Sequence, residues 1–201
     1  MPRLPEIRLH SAHPSSGLWR LAESDEIGFA SPYWAYHWAG GLALARHILD
    51  RPRTVAGRRV LDLGAGSGIV AIAAAKAGAS QVLAAEIDAY AIAALRLNAA
   101  ANEVVLSVLS NDLTAGPPPL VDLVVVGDLF YERGLAERVT AFLDRCLDRG
   151  AEVLIGDPGR AFLPLSRLCL VAEYPVLEFG EVGDAASKAS AVFSLEPAGP
   201  C

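Results

Sequence analysis

A chain of 201 residues with 53% hydrophobic content has room for one well-packed core and not for two. Its formal net charge of −6 removes the overall basic field that would draw in a phosphate backbone, so no nucleic-acid partner is expected. No apolar run approaches the roughly 18 residues of a membrane span, so no membrane role is expected either.

Residues 1–30 mix prolines, serines and charges with isolated apolar positions such as Ile7, Leu9, Leu18 and Trp19. They read as an N-terminal arm or a short edge strand. They contain neither an apolar secretory core nor an Arg- and Ser-rich import segment, from which a cytoplasmic protein is expected. From Pro32, a residue suited to a first helical turn, apolar positions through Leu42, Leu44, Ile48 and Leu49 recur at helical spacing. They predict an aromatic-headed helix over 31–50, with Trp34 and Trp38 sharing a face. Gly40 and Gly41 each weaken such a helix by up to about 1 kcal/mol relative to alanine, which marks a break or a close approach by another element. His37 and His47 read as ordinary helix residues.

The core spans 58–201 and begins with the run Val60-Leu61-Asp62-Leu63, a buried strand that opens into Gly64-Ala65-Gly66-Ser67-Gly68. Glycines let the backbone turn tightly and approach a ligand, and the helix that follows points free N–H groups at it. Glu86 lies twenty residues beyond Gly66, at the tip of the next strand, where a carboxylate accepts hydrogen bonds from ribose hydroxyls. A dinucleotide loop wants G-x-G-x-x-G; here the glycines form G-x-G-x-G, and Ile69 takes the place of the last one. Asp62 would sit poorly beside a pyrophosphate and well beside a cationic sulfonium amino acid, so the loop favours S-adenosylmethionine over NAD.

The alternation continues with a helix over 67–77 ended by Gly78, a strand from Gln81 to Glu86, a helix from Ala89 to Ala99 and a strand from Val104 to Leu109. Asp112, just past that strand, is placed to receive an adenine amino group or to form an Asn-Asp turn with Asn111. Val121 to Val126 is the fourth strand and leads into Gly127-Asp128-Leu129-Phe130-Tyr131, then a helix over about 131–147 and a fifth strand from Glu152 to Ile155. Two strand-like stretches, Tyr174 to Phe179 and Ala189 to Leu195, flank a loop over 180–188 that reads as a turn or a gate to the site. Five β/α alternations and a terminal antiparallel hairpin define an α/β, Rossmann-like, mostly parallel sheet with helices on both faces. Cys146, Cys169 and Cys201 stand apart from one another and from any ligand spacing, so they read as reduced, and no metal site is expected.

These motifs resemble those of the seven-β-strand class I methyltransferases. More narrowly, Pro32-Tyr33-Trp34-Ala35, Trp38 with Gly40-Gly41, Leu61-Asp62-Leu63-Gly64, Ile87-Asp88, Gly127-Asp128-Leu129-Phe130-Tyr131 and Gly156-Asp157-Pro158-Gly159-Arg160 are similar to the lysine methyltransferases of the electron transfer flavoprotein β subunit. The resemblance implies S-adenosylmethionine as cofactor. Gly64, Ala65 and Gly66 would contact its methionine part, Glu86 its ribose, and Asp112 and Leu113 its adenine, with Trp38, Asp62, Ile87 and Gly127 completing the pocket. Asp128 and Tyr131 match a D-x-x-Y motif beside the target nitrogen. A lysine with pKa near 10.4 must shed a proton at a cost of about 4 to 5 kcal/mol near neutral pH. Aromatic walls from Trp34, Phe130 and Tyr131 would lower that cost and hold methylated cations. Asp128 would orient the amine, or else cap the next helix. Rival readings are a methyltransferase for a ribosomal protein, a small-molecule N-methyltransferase acting on the pyridine nitrogen of a nicotinamide-like compound, and a binding module without catalysis.

Overall fold

The computed structural model describes residues 4–13, 16–18, 32–175 and 189–197. Its strands are β1 (Arg59–Leu63), β2 (Gln81–Ala85), β3 (Ser107–Leu109), β4 (Leu123–Gly127), β5 (Glu152–Asp157), β6 (Leu168–Pro175) and β7 (Ala189–Leu195). They form one sheet in the order β3-β2-β1-β4-β5-β7-β6. β1 to β5 pair in parallel, and β7 runs antiparallel between β5 and β6. Four α-helices are described: α1 (Ala39–Asp50), α2 (Ile69–Lys76), α3 (Ala89–Ala101) and α4 (Arg133–Leu147).

Successive strand side chains point to opposite faces, and the core divides accordingly. Val60, Leu123, Val125 and Leu154 join Leu44 and Ile48 of α1, Ile72 of α2 and Leu95 of α3 on one face. Leu61, Leu63, Val124, Val126 and Ile155 join Val139, Phe142 and Leu143 of α4 on the other. A sheet covered on both sides needs strands that are apolar throughout, which is why β4 reads Leu-Val-Val-Val. The parallel strands end level, with Leu63 opposite Ala85 and Val126, and Gly127 opposite Gly156. Strand order reverses between β1 and β4, and that is where such sheets open a crevice.

The helix expected over 31–50 is two elements. Tyr33–Ala35 is a single 3-10 turn, Tyr36 and Trp38 are extended, and α1 starts only at Ala39. Trp34 and Trp38 therefore do not share a helical face. Gly40 and Gly41 do not break α1; they let it cross the end of the sheet. A Cβ on Gly40 would lie 2.1 Å from the Gly156 carbonyl oxygen, and one on Gly127 would lie 3.1 Å from the Gly41 Cα.

β3 is shorter than expected because Val104 closes α3, its N–H donating to the Ala99 carbonyl. The first tail strand begins at Leu168, well before Tyr174, and carries a bulge between Leu170 and Ala172. The 180–188 loop, Trp19 and Phe179 lie outside the described residues. What is described of the arm is not an edge strand: Ile7 is buried, and Arg8 and His10 bond to the side chains of Asn102, just past α3, and Asn98 within it. Among the described residues no helix is long and apolar enough to cross a membrane.

Candidate active site

A cavity of about 660 Å³ opens at the carboxyl ends of β1, β2, β3 and β4 and is roofed by the segment from Tyr33 to Trp38. Its floor is the glycine loop. Gly64, Gly66 and Gly68 have φ of 70°, 52° and 82°, conformations that residues with a Cβ rarely adopt. The loop is fixed by Ala85, whose carbonyl accepts from the N–H groups of Gly64 and Ala65 at 3.0 Å.

Glu86 closes the same floor. Its Oε2 accepts the Gly66 N–H at 2.9 Å, and its Oε1 accepts those of Ile87 and Asp88 at 2.7 and 3.0 Å. The carboxylate is thus pre-aimed over the loop at the tip of β2. Asp62 lies beneath, buried, with Oδ2 accepting the Ala71 N–H of α2 at 2.9 Å. Burial, reinforced by the nearby Glu86 charge, pushes its carboxyl up to about 7. Asp112 does form the turn that its sequence suggested: it accepts from the Thr114 N–H and hydroxyl at 2.9 and 2.6 Å. It also lines the cavity beside Leu113, and Ile87 stands exposed at the rim.

Asp128 occupies the opposite wall. It is a non-glycine residue with φ of 59°, held there because its N–H donates to the Gly156 carbonyl. Its Oδ2 accepts the Gly41 N–H at 2.8 Å, and its Oδ1 takes the Arg160 guanidinium at 2.7 and 3.2 Å. Burial raises the Asp128 carboxyl against the opposing pull of Arg160. It does not cap α4: that cap is Glu132, which accepts from Gly134 and Leu135.

Phe130 corrects the expectation of an aromatic wall. It is 0% exposed, packs in the core under α4 and does not line the cavity. The wall is Tyr33 instead. Its ring centroid lies 5.7 Å from those of both Trp38 and Tyr131, and Tyr33 and Tyr131 are 46% and 47% exposed at the mouth. Trp38 donates its indole N–H to the Tyr33 carbonyl at 2.7 Å. Trp34 lines the roof, with its Cα 3.9 Å from where a Gly66 Cβ would stand. Among the described residues the buried Trp34 Nε1 and His37 Nδ1 find no hydrogen-bond partner, and burial lowers the His37 pKa. Sequence reasoning missed Tyr33, His37 and Arg160 as site residues, although Tyr33 and Arg160 lie inside motifs it singled out. Among the described residues no cluster of His, Cys, Asp and Glu is placed to hold a metal.

A seven-stranded sheet with one antiparallel strand beside β5, a glycine loop after β1 and a carboxylate at the tip of β2 is the architecture of the class I methyltransferases. A solved ribosomal protein L11 methylase from Lactobacillus delbrueckii shares it with a TM-score of 0.54 and 26% identity, over 76% of this chain and 77% of that one. The family pattern described as Ribosomal protein L11 methyltransferase (PrmA) matches residues 43–129. The electron transfer flavoprotein beta subunit lysine methyltransferase of Xenopus laevis is 40% identical over 98% of this chain and 82% of its own length. That of Homo sapiens is 38% identical over 96% and 76%. The chain belongs to the electron transfer flavoprotein β-subunit lysine methyltransferase family.

Proposed function

We propose that the chain transfers a methyl group from S-adenosylmethionine to a lysine of the electron transfer flavoprotein β subunit. The observation that carries this reading is the reach of the similarity. The L11 methyltransferase pattern stops at residue 129, inside the cofactor half. The flavoprotein-directed relatives match across 98% and 96% of the chain, through Tyr131 and Arg160.

The cavity suits that cofactor. Among the described residues its charged lining is five acidic side chains, Asp62, Glu86, Asp88, Asp112 and Asp128, with Arg160 as the one permanent cation, which favours a cationic ligand. Glu86 at the tip of β2 is placed for ribose hydroxyls, Asp112 and Leu113 for adenine, and Gly64, Ala65 and Gly66 for the methionine part. On the same lining Trp34 and His37 hold nitrogens without a partner among the described residues. When bound, S-adenosylmethionine supplies an electrophilic methyl group on a sulfonium centre and leaves a neutral thioether behind.

What remains for the chain is alignment and dehydration. Asp128 and Tyr131 flank the place where the lysine nitrogen must arrive, and Asp128 receives its N–H. Tyr33, Tyr131 and Trp38 form an aromatic throat that strips water from the amine, lowers its pKa and holds methylated cations. The exposed lip of Tyr33 and Tyr131 suits a side chain reaching in from a protein surface better than an enclosed small amine. The test is transfer of labelled methyl into purified electron transfer flavoprotein, with ribosomal protein and nicotinamide run in parallel. Methyllysine in the flavoprotein β subunit is the expected product; label in either of the other samples alone overturns the substrate.

A further inference from the structure

Arg160 ends the motif Gly156-Asp157-Pro158-Gly159-Arg160, which forms the turn after β5. Its surroundings are built. The backbone N–H groups of Gly159 and Arg160 both donate to the buried Asp157 Oδ1 at 2.7 Å. This turn aims the guanidinium across the cavity wall. There it grips Asp128 Oδ1 through Nη2 at 2.7 Å and Nε at 3.2 Å, and its Cζ stands 5.6 Å from the centroid of the Trp38 ring. One side chain thus touches the carboxylate and one aromatic wall of the throat.

Among the described residues, the groups facing Asp128 come from two elements. From α1 come the Gly41 N–H and the Gly40 backbone; from the turn after β5 comes Arg160. Asp157 of β5 adds a second negative charge nearby, and Tyr131 lies three residues on at the lip. A bare carboxylate at this place would hold an incoming lysine as its ammonium, because an opposite charge within ~4–6 Å favours the charged form by about 1–3 pKa units. Methyl transfer needs the free amine. A carboxylate already paired to a guanidinium has no net charge to offer, so it does not hold an incoming amine as its ammonium.

Resting on the lysine-methyltransferase reading, we propose that Arg160 is a positioning residue: it keeps Asp128 ionised and in place and cancels its charge, so the substrate lysine is received as free amine. Arg160→Gln removes the charge, whereas Arg160→Lys keeps it and loses the forked grip. The first readout needs no substrate. Carbon-13 NMR follows the Asp128 carboxyl against pH, with Asp128→Asn for assignment. The Asp128 midpoint is expected to rise by about one pH unit or more in Arg160→Gln and to stay near wild type in Arg160→Lys.

The second readout is the pH profile of kcat on the flavoprotein β subunit. Its rise is expected to move to higher pH in Arg160→Gln and to be largely restored in Arg160→Lys. Superimposed Asp128 titrations in wild type and Arg160→Gln overturn the proposal, whether or not the substrate is correct. So does a uniform fall in kcat with the profile unmoved. A wild-type enzyme inactive on that subunit refutes the substrate reading instead and leaves the NMR comparison to decide the role of Arg160.

Discussion

Asp62 shows how a single residue ties the apo fold to its ligand. Its carboxyl stands at about 7 in the folded chain against an ordinary 3.8, so the native state retains a proton that the unfolded chain releases. A group raised in this way contributes its full stability below pH 4 and loses it as pH climbs towards 7. Asp62→Asn keeps an acceptor for the Ala71 N–H and cannot ionise. Its melting temperature is therefore expected to fall less than that of wild type between pH 5 and pH 8. In wild type, affinity for the cationic cofactor should rise by up to about tenfold over pH 6 to 8 as Asp62 ionises, one pKa unit being worth about 1.36 kcal/mol. Calorimetry at both pH values checks this, and an equal rise in Asp62→Asn would assign the dependence to another group. At this scale the sequence was informative where spacing fixes geometry: Gly64, Gly66 and Glu86 sit where a strand-loop-helix-strand unit must put them. It was silent on Phe130 against Tyr33, because the turn at Asp128 has a left-handed φ of 59° in a non-glycine residue. That turn depends on β5 and decides which aromatic faces the cavity.

Among the elements, the crossing of α1 over β4 and β5 does most to shape the site. Gly40 and Gly156 meet backbone to backbone, a Cβ on Gly156 standing 2.2 Å from the Gly40 carbonyl oxygen. The close approach brings the Gly41 N–H to Asp128 Oδ2 at 2.8 Å. Gly40→Ala must push α1 off β5, since its Cβ would lie 2.1 Å from the backbone carbonyl oxygen of Gly156, which cannot swing aside. A loss of roughly 1 to 3 kcal/mol in unfolding free energy is expected, typical of overpacking, together with a fall in kcat larger than any loss of cofactor affinity. Gly116→Ala, with nothing within 4 Å of its Cβ, is the matched control and should melt with wild type. Denaturant melts and steady-state kinetics on the pair check both points, and an unchanged Gly40→Ala would show that the contact is slack. From β1 onward, element types and order were readable from apolar periodicity. The split of the first helix was not, because helical spacing of Trp34, Trp38 and Leu42 also fits a turn and an extended segment laid across a glycine loop.

At the scale of the whole molecule, the cavity is closed by two distant parts of the chain joined through α3. The His10 N–H donates to Asn98 Oδ1 at 2.7 Å, and the fully buried Asn98 passes its Nδ2–H to the Ser67 carbonyl of the glycine loop at 2.8 Å. One turn on, Asn102 accepts the Arg8 N–H at 2.9 Å and donates to the Arg8 carbonyl at 2.6 Å. The roof joins in, the Ala35 carbonyl accepting the Ala12 N–H at 3.0 Å. Each of these groups is costly to strand in a buried place, at about 1–3 kcal/mol per unsatisfied partner. The described part of the arm therefore braces the glycine loop and the roof that bound the cavity. Asn98→Leu fills a similar volume but leaves both the His10 N–H and the Ser67 carbonyl without their partner. It is expected to lower stability by about 2–5 kcal/mol and to raise the KM for the cofactor severalfold, with kcat and the KM for the protein substrate nearly unchanged. Removing residues 1–13 should reproduce the same KM split. A truncated chain that binds S-adenosylhomocysteine as tightly as the full chain would reduce the arm to a surface strap and put the order of the glycine loop back on β1 and β2 alone.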